Sequence, residues 1–188
     1  MSLVPIRPPV FDVDIALAYA TPDNFTGRPI YRRADCWLRT EAADHLQRAI
    51  ALAGALGLRL LIFDAFRPQE AQRIMWNHTP DPVFLADPAR GSSHSRGVAV
   101  DLTLTDSIGR ILDMGTAFDA FTPLSHHGNT EISVEAQKNR HLLLGLMSSA
   151  GWMFYAQEWW HYQLPDAHAR FPLLSDSTLS TSMMAPEP

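Results

Sequence analysis

Apolar and polar positions alternate along this chain with periods that mark out its elements. From Glu41 onward Leu46, Ala49, Ile50, Ala53 and Leu56 recur at helical spacing, with Thr40 placed to cap and Gly57 where a helix would stop. Leu58 to Phe63 reads as a buried strand interrupted only by Arg59, and it runs into Asp64-Ala-Phe-Arg67-Pro68. Proline suits a first helical position, which predicts a helix over 69–76 and puts Arg67 at a strand-to-helix corner. Val98, Val100, Leu102 and Leu104 face one side of a strand, and Ala99, Asp101 and Thr103 face the other. Ser107-Ile108-Gly109 predicts a turn, with 110–114 returning as a hairpin strand. Ser133 caps a third helix to about Ser149, with Leu142, Leu143 and Leu146 inward and Gly151 as the stop. Two short strands, 152–155 and 159–164, flank a bend at Ala156-Gln157-Glu158.

The turn-rich stretch from Tyr19 to Gly27 reads as an ordered loop and 81–90, with two prolines, as another. Serine and threonine crowd the last residues, which predicts a loose tail over 175–188. The sum is an α+β fold: one domain over 1–188, with a core at about 10–174 and helices packed on a mainly antiparallel sheet.

Composition narrows the functional classes. Lysine and arginine number 15 against 20 aspartates and glutamates, a net charge of −5, which argues against a nucleic-acid partner. The single cysteine, Cys36, excludes an internal disulfide and any cysteine-rich metal site, and is expected to be a small core residue. Met1 to Pro9 carries three prolines and no apolar run of signal-peptide length. The longest apolar run, Ala49 to Leu58, is half of the roughly 20 residues a membrane span needs. The expectation is a cytoplasmic protein with no membrane partner.

Two segments carry candidate chemistry: Ser92-Ser-His94-Ser-Arg-Gly97-Val-Ala-Val-Asp101 and Glu158-Trp-Trp-His161. Two histidines and a carboxylate form a three-ligand set for zinc that leaves a fourth position open for water. Glu158 then fits as the carboxylate that takes the water's proton. Asp101 stands on the non-hydrophobic face of an apolar strand, where an unpaired carboxylate is unfavourable. Taken one at a time, these residues are more often structural: hydrogen-bonded histidines, a salt-bridged aspartate, a solvated glutamate. Spacing alone leaves both readings open.

The combination Ser-x-His-x-x-Gly-x-Ala-x-Asp, followed some 60 residues later by Glu-x-Trp-His, resembles the signature of the zinc D,D-peptidases. That group includes D-alanyl-D-alanine dipeptidases of the vancomycin-resistance type, D-alanyl-D-alanine carboxypeptidases and the zinc domain of Hedgehog proteins. Tyr19 to Gly27, Phe63 to Pro68, Asp113 to Asp119 and Ser125-His126 resemble the dipeptidase branch, so the likeness spans about Val10 to Leu174. It implies one zinc ion held by His94, Asp101 and His161, with Glu158 as base and then as proton donor to the leaving amine. It implies that Arg67 hydrogen-bonds the scissile carbonyl oxygen. Asp119 would grip the substrate's ammonium, Tyr19 would line that end, and Ser92 would lie near the terminal carboxylate. His126 matches a recurring family histidine outside the metal set, and Trp159 and Trp160 are expected as packing and site walls.

The implied activity is hydrolysis of free D-Ala-D-Ala to two D-alanines, with a small dipeptide as partner. The alternatives are a carboxypeptidase or endopeptidase acting on peptidoglycan stems, which Asp119 disfavours, and a non-catalytic Hedgehog-like zinc module. Glu158 and Arg67 together disfavour the latter, since binding alone needs neither. Antibiotic resistance and salvage of cell-wall D-alanine would use the same site.

Overall fold

The alternating segment around Asp101 becomes the middle strand of a five-stranded sheet. A computed structural model describes residues 2–185. Along the chain run β1 (Leu3–Pro5), β2 (Asp14–Ile15), β3 (Trp37–Arg39), α1 (Thr40–Gly54), β4 (Arg59–Asp64), α2 (Gln69–His78) and β5 (Ala99–Thr105). Then follow α3 (Val134–Ser149), β6 (Met153–Tyr155), β7 (Glu158–Gln163) and α4 (Ala167–Arg170). The large sheet has the order β2-β4-β5-β7-β6. Only the β2–β4 pair is parallel, so the sheet is mainly antiparallel as expected. β1 and β3 form a separate antiparallel ribbon.

Helices α1 and α3 pack against each other and on β4 and β5. The buried stripe of α1 is Ala42, Ala43, Leu46, Ala49, Ile50 and Ala53, close to the pattern read from the sequence. Small alanines on that face let the helix lie near the sheet. Ser133 caps α3 as expected, its hydroxyl accepting from the Ala136 N–H. The α3 stripe differs in content: Leu142 is only half-buried, while Asn139 and Arg140 are buried. Every residue of β5 is buried, because the face bearing Asp101 is covered as fully as the apolar one. That covering houses the site.

Three expectations are corrected. Thr40 is the first residue of α1, and Arg39 stands at the cap position with no side-chain cap bond. Residues 110–114 form no strand beyond a single bridge from Ile111 to Thr105. The reason lies in α3: Asn139 donates to the Asp113 carbonyl (2.8 Å) and Arg140 to that of Met114 (2.7 Å), drawing the chain off the sheet. The tail is also not loose as far as Met184. Met183 and Met184 are buried, the Arg32 N–H donates to the Met183 carbonyl (2.7 Å), and Tyr31 bridges Met184. Two methionines supply apolar anchors inside a serine-rich stretch. The remainder of the expected tail, 186–188, lies outside the described residues.

Candidate active site

Strand register builds the centre of the site. In the antiparallel ladders Asp64 of β4 pairs with Asp101 of β5, and Asp101 pairs with His161 of β7. Directly opposed residues point to the same face, so three polar side chains stand in a row across three strands. His94 reaches the row from a short 3-10 turn, His94 to Arg96, just before β5. Gly97 ends that turn with φ of +70°, and a Cβ there would lie 2.7 Å from Leu3. Glycine is favoured at this point by its left-handed backbone, and the Leu3 side chain would have to move to admit a Cβ.

His94 Nε2, His161 Nδ1 and Asp101 Oδ1 form a triangle with edges of 3.1, 3.2 and 3.0 Å. The outer nitrogens fix the ring tautomers. His94 Nδ1 lies 2.7 Å from the Ala65 carbonyl and His161 Nε2 lies 3.1 Å from Gln163 Oε1, both acceptors. Each ring therefore carries its proton outward, and two nitrogen lone pairs converge with a carboxylate oxygen. Three acceptors this close repel one another unless a cation lies among them. Tetrahedral coordination with ligands at about 2.0–2.1 Å spaces donors roughly 3.3–3.4 Å apart, close to the observed edges. These three residues could hold a metal ion.

Glu158, at the start of β7, has a carboxylate oxygen 3.9 Å from His161 Nδ1. Burial, with Asp101 and Asp119 nearby, raises its carboxyl well above the ordinary range. A raised carboxyl suits a group that takes and returns a proton.

Arg67 is buried at the corner after β4, as its sequence position suggests. Its Nε donates to Asp64 (2.8 Å), Nη1 to Gln72 (3.0 Å) and Nη2 reaches Asp101 (3.5 Å). A guanidinium has five N–H groups, more than these contacts occupy, and the Tyr31 hydroxyl also lies within its hydrogen-bonding reach. The Tyr19 ring lies 5.1 Å beneath it, and the Tyr19 hydroxyl donates to Asp119 (2.9 Å). Asp119 has φ of +57°, the left-handed region that aspartate tolerates better than most residues. Burial and then Asp101 push its carboxyl up to about 8, against the lowering effect of the Tyr19 hydrogen bond.

All eight residues singled out from the sequence line one cavity of about 460 Å³. Ser92 is buried there, its hydroxyl oxygen accepting from the His94 N–H (3.1 Å), which leaves its proton free to donate. Trp160 is a wall, as expected, and Trp159 packs behind it. His126 does not join the metal set, and its backbone carbonyl instead accepts from Arg140. Sequence reasoning missed Asp64, fully buried and held by the Tyr31 hydroxyl (2.9 Å), which anchors Arg67. The signal was present: a carboxylate three residues before an arginine, at the end of a buried strand.

Converging histidines and a carboxylate beside a buried acid/base group are the equipment of metal-dependent hydrolases. The sequence matches the Peptidase_M15 family, described as D-ala-D-ala dipeptidase, over residues 1–181. A D-alanyl-D-alanine dipeptidase of Escherichia coli (strain K12) is 46% identical over 165 residues, which covers 88% of this chain and 85% of that one. One of Enterococcus faecium is 34% identical over 181 residues, with 82% of this chain and 90% of that one covered. The solved structure of VanYB in complex with D-Alanine-D-Alanine superimposes with a TM-score of 0.48 at 16% identity, over 88% of this chain and 83% of that one. The chain belongs to the D-Ala-D-Ala dipeptidase family of metallopeptidases.

Proposed function

We propose that this chain is a zinc-dependent dipeptidase that hydrolyses free D-Ala-D-Ala to two D-alanines. The observation that carries the reading is the triangle of His94, Asp101 and His161 in a cavity that also holds Glu158, Arg67 and Asp119. Two imidazoles and a single carboxylate match the donor preference of zinc. When bound, zinc would polarise the scissile carbonyl and make a water molecule more acidic.

The chain's own residues divide the remaining work. Asp119, with Tyr19 behind it, takes the substrate's ammonium, and the free Ser92 hydroxyl meets the terminal carboxylate. The Arg67 guanidinium donates to the carbonyl oxygen as it gains negative charge. Asp64 keeps that guanidinium in place, so little reorganisation is needed as the charge develops. Glu158 accepts the proton of the attacking water as the C–O bond forms, then passes it to the nitrogen as the C–N bond breaks. One water is consumed and two amino acids leave.

Gripping both ends excludes longer peptides, which would leave a buried carboxylate without its cation. A free dipeptide is the substrate such a site selects, and we place the reaction in the cytoplasm. No described helix is long and apolar enough to cross a membrane. The test is zinc-loaded and zinc-stripped protein incubated with D-Ala-D-Ala, L-Ala-L-Ala and a D-Ala-D-Ala-ended stem pentapeptide. The expected result is release of D-alanine from the first alone, and only with metal. Faster cleavage of the pentapeptide would overturn the reading.

A further inference from the structure

Arg140 of α3 is buried, yet among the described residues no carboxylate lies within ion-pair distance of it. Burial pulls its guanidinium down to about 10, against a smaller opposing effect of Asp113. A charge surrounded by neutral acceptors is unfavourable, so what it holds is informative. It donates to the carbonyls of Met114 (2.7 Å), Leu124 (2.8 Å) and His126 (3.1 Å), and reaches Thr116 Oγ1 (3.4 Å). These acceptors bracket the loop that carries Asp119.

Donor arithmetic gives the polar contacts of Thr116 a single direction. The Trp159 indole N–H, a donor only, points to Thr116 Oγ1 at 2.8 Å. Arg140 is also a donor only, so both acceptor positions of the Thr116 hydroxyl are taken. Its one proton must go to Ser125 Oγ at 3.1 Å. Ser125, fully buried, then donates to the Ala120 carbonyl at 2.6 Å. The chain starts on the strand that carries Glu158 and His161 and ends on the residue after Asp119.

We propose that Arg140, Thr116 and Ser125 are positioning residues that hold Asp119 at a fixed distance from Glu158 and the triangle of His94, Asp101 and His161, and so set the enzyme's demand for a free substrate amine. The inference rests on the reading of Asp119 as the ammonium site. Slack in this chain lets Asp119 drift, and displacements near 1 Å in a positioning group lower turnover by about 10²-fold.

The test uses the zinc-loaded full chain with Thr116→Val, which keeps the shape and removes the hydroxyl, beside Thr116→Ser, which restores it. Thr116→Val is expected to lower kcat/KM for D-Ala-D-Ala by about 10–100-fold. Acetyl-D-Ala-D-Ala, which does not engage Asp119, is expected to change less than about threefold, so the free-to-capped ratio collapses while metal content holds. Thr116→Ser is expected to restore the ratio. An unchanged ratio in Thr116→Val, equal loss on both substrates, or failure of Thr116→Ser to rescue would overturn the proposal. Amide hydrogen exchange supplies a readout free of turnover. Residues 115–120 should exchange faster in Thr116→Val with β5 and β7 unaffected, and unchanged exchange there also defeats it. A parent protein inactive on D-Ala-D-Ala would refute the dipeptidase reading instead, leaving exchange to judge the network.

Discussion

The triangle of His94, Asp101 and His161 and the loop that carries Asp119 face one cavity but are held in different ways. Asp101 and His161 sit opposite each other on paired strands, and Asp64 completes the row, so backbone ladders fix their spacing. Asp119 lies in a stretch without strand or α-helix between Thr105 and Val134, hung from side-chain hydrogen bonds to α3 and β7. The contrast suits the chemistry. A metal needs donors placed within a few tenths of an ångström; the sheet spaces Asp101 and His161, and the turn that Gly97 ends brings in His94. A charged substrate terminus needs a tuned anchor, and a loop can be altered in loop residues alone without disturbing the metal.

The largest effects should separate the halves most sharply. His161→Ala is expected to abolish both metal binding and turnover, whereas Glu158→Gln keeps about one metal per chain and loses roughly 10²–10⁴-fold in kcat. Metal analysis beside kinetics checks this, and loss of metal from Glu158→Gln would make that residue a ligand. Arg67→Ala comes next, with a loss on the order of 10²–10³ in kcat, as for removal of an oxyanion donor. A change confined to KM would restrict Arg67 to ground-state binding.

Asp119→Asn probes the loop half through pH. The Asp119 carboxyl is pushed up to about 8 in the fold, so between its unfolded value near 3.9 and that point the folded chain keeps a proton the unfolded chain has lost. Its contribution to stability is full below about pH 4 and drains away as pH rises through 8. In metal-free protein, Asp119→Asn should therefore gain in Tm over the parent as pH is raised from 5 to 8. A constant difference across that range would mean that the carboxyl titrates normally. The smallest expected effect belongs to Gly97→Ala, with φ of +70° and Leu3 at 2.7 Å from the new Cβ. It should cost about 1–3 kcal/mol and loosen metal affinity while sparing the preference for a free amine. Thermal unfolding and metal titration measure both.

The two halves were also unequally legible in the sequence. The spacing from His94 to Asp101 and from Glu158 to His161 is short, and the alternation of β5 put Asp101 on its polar face. Those features announce a ligand set before any partner strand is known. Asp119 had no comparable signal; only likeness to a family pointed to it. Arg140 left still less trace, because its partners are backbone carbonyls 14, 16 and 26 residues away and carbonyls have no sequence signature. On paper it was one more polar residue on α3. The strand expected over 110–114 failed for the same reason, since the competing pull of Asn139 and Arg140 is tertiary.

The proposed dipeptidase activity turns on Asp119 reading a free amine beside a metal-dependent acid/base set. The direct measurement is kcat/KM for D-Ala-D-Ala against acetyl-D-Ala-D-Ala on protein carrying one zinc per chain. The cap removes the ammonium that would pair with Asp119, and loss of one partner of a buried ion pair costs roughly 3–5 kcal/mol, or about two to four orders of magnitude. A preference of that size for the free dipeptide is expected, shrinking in Asp119→Asn. Equal rates on the two substrates would contradict it.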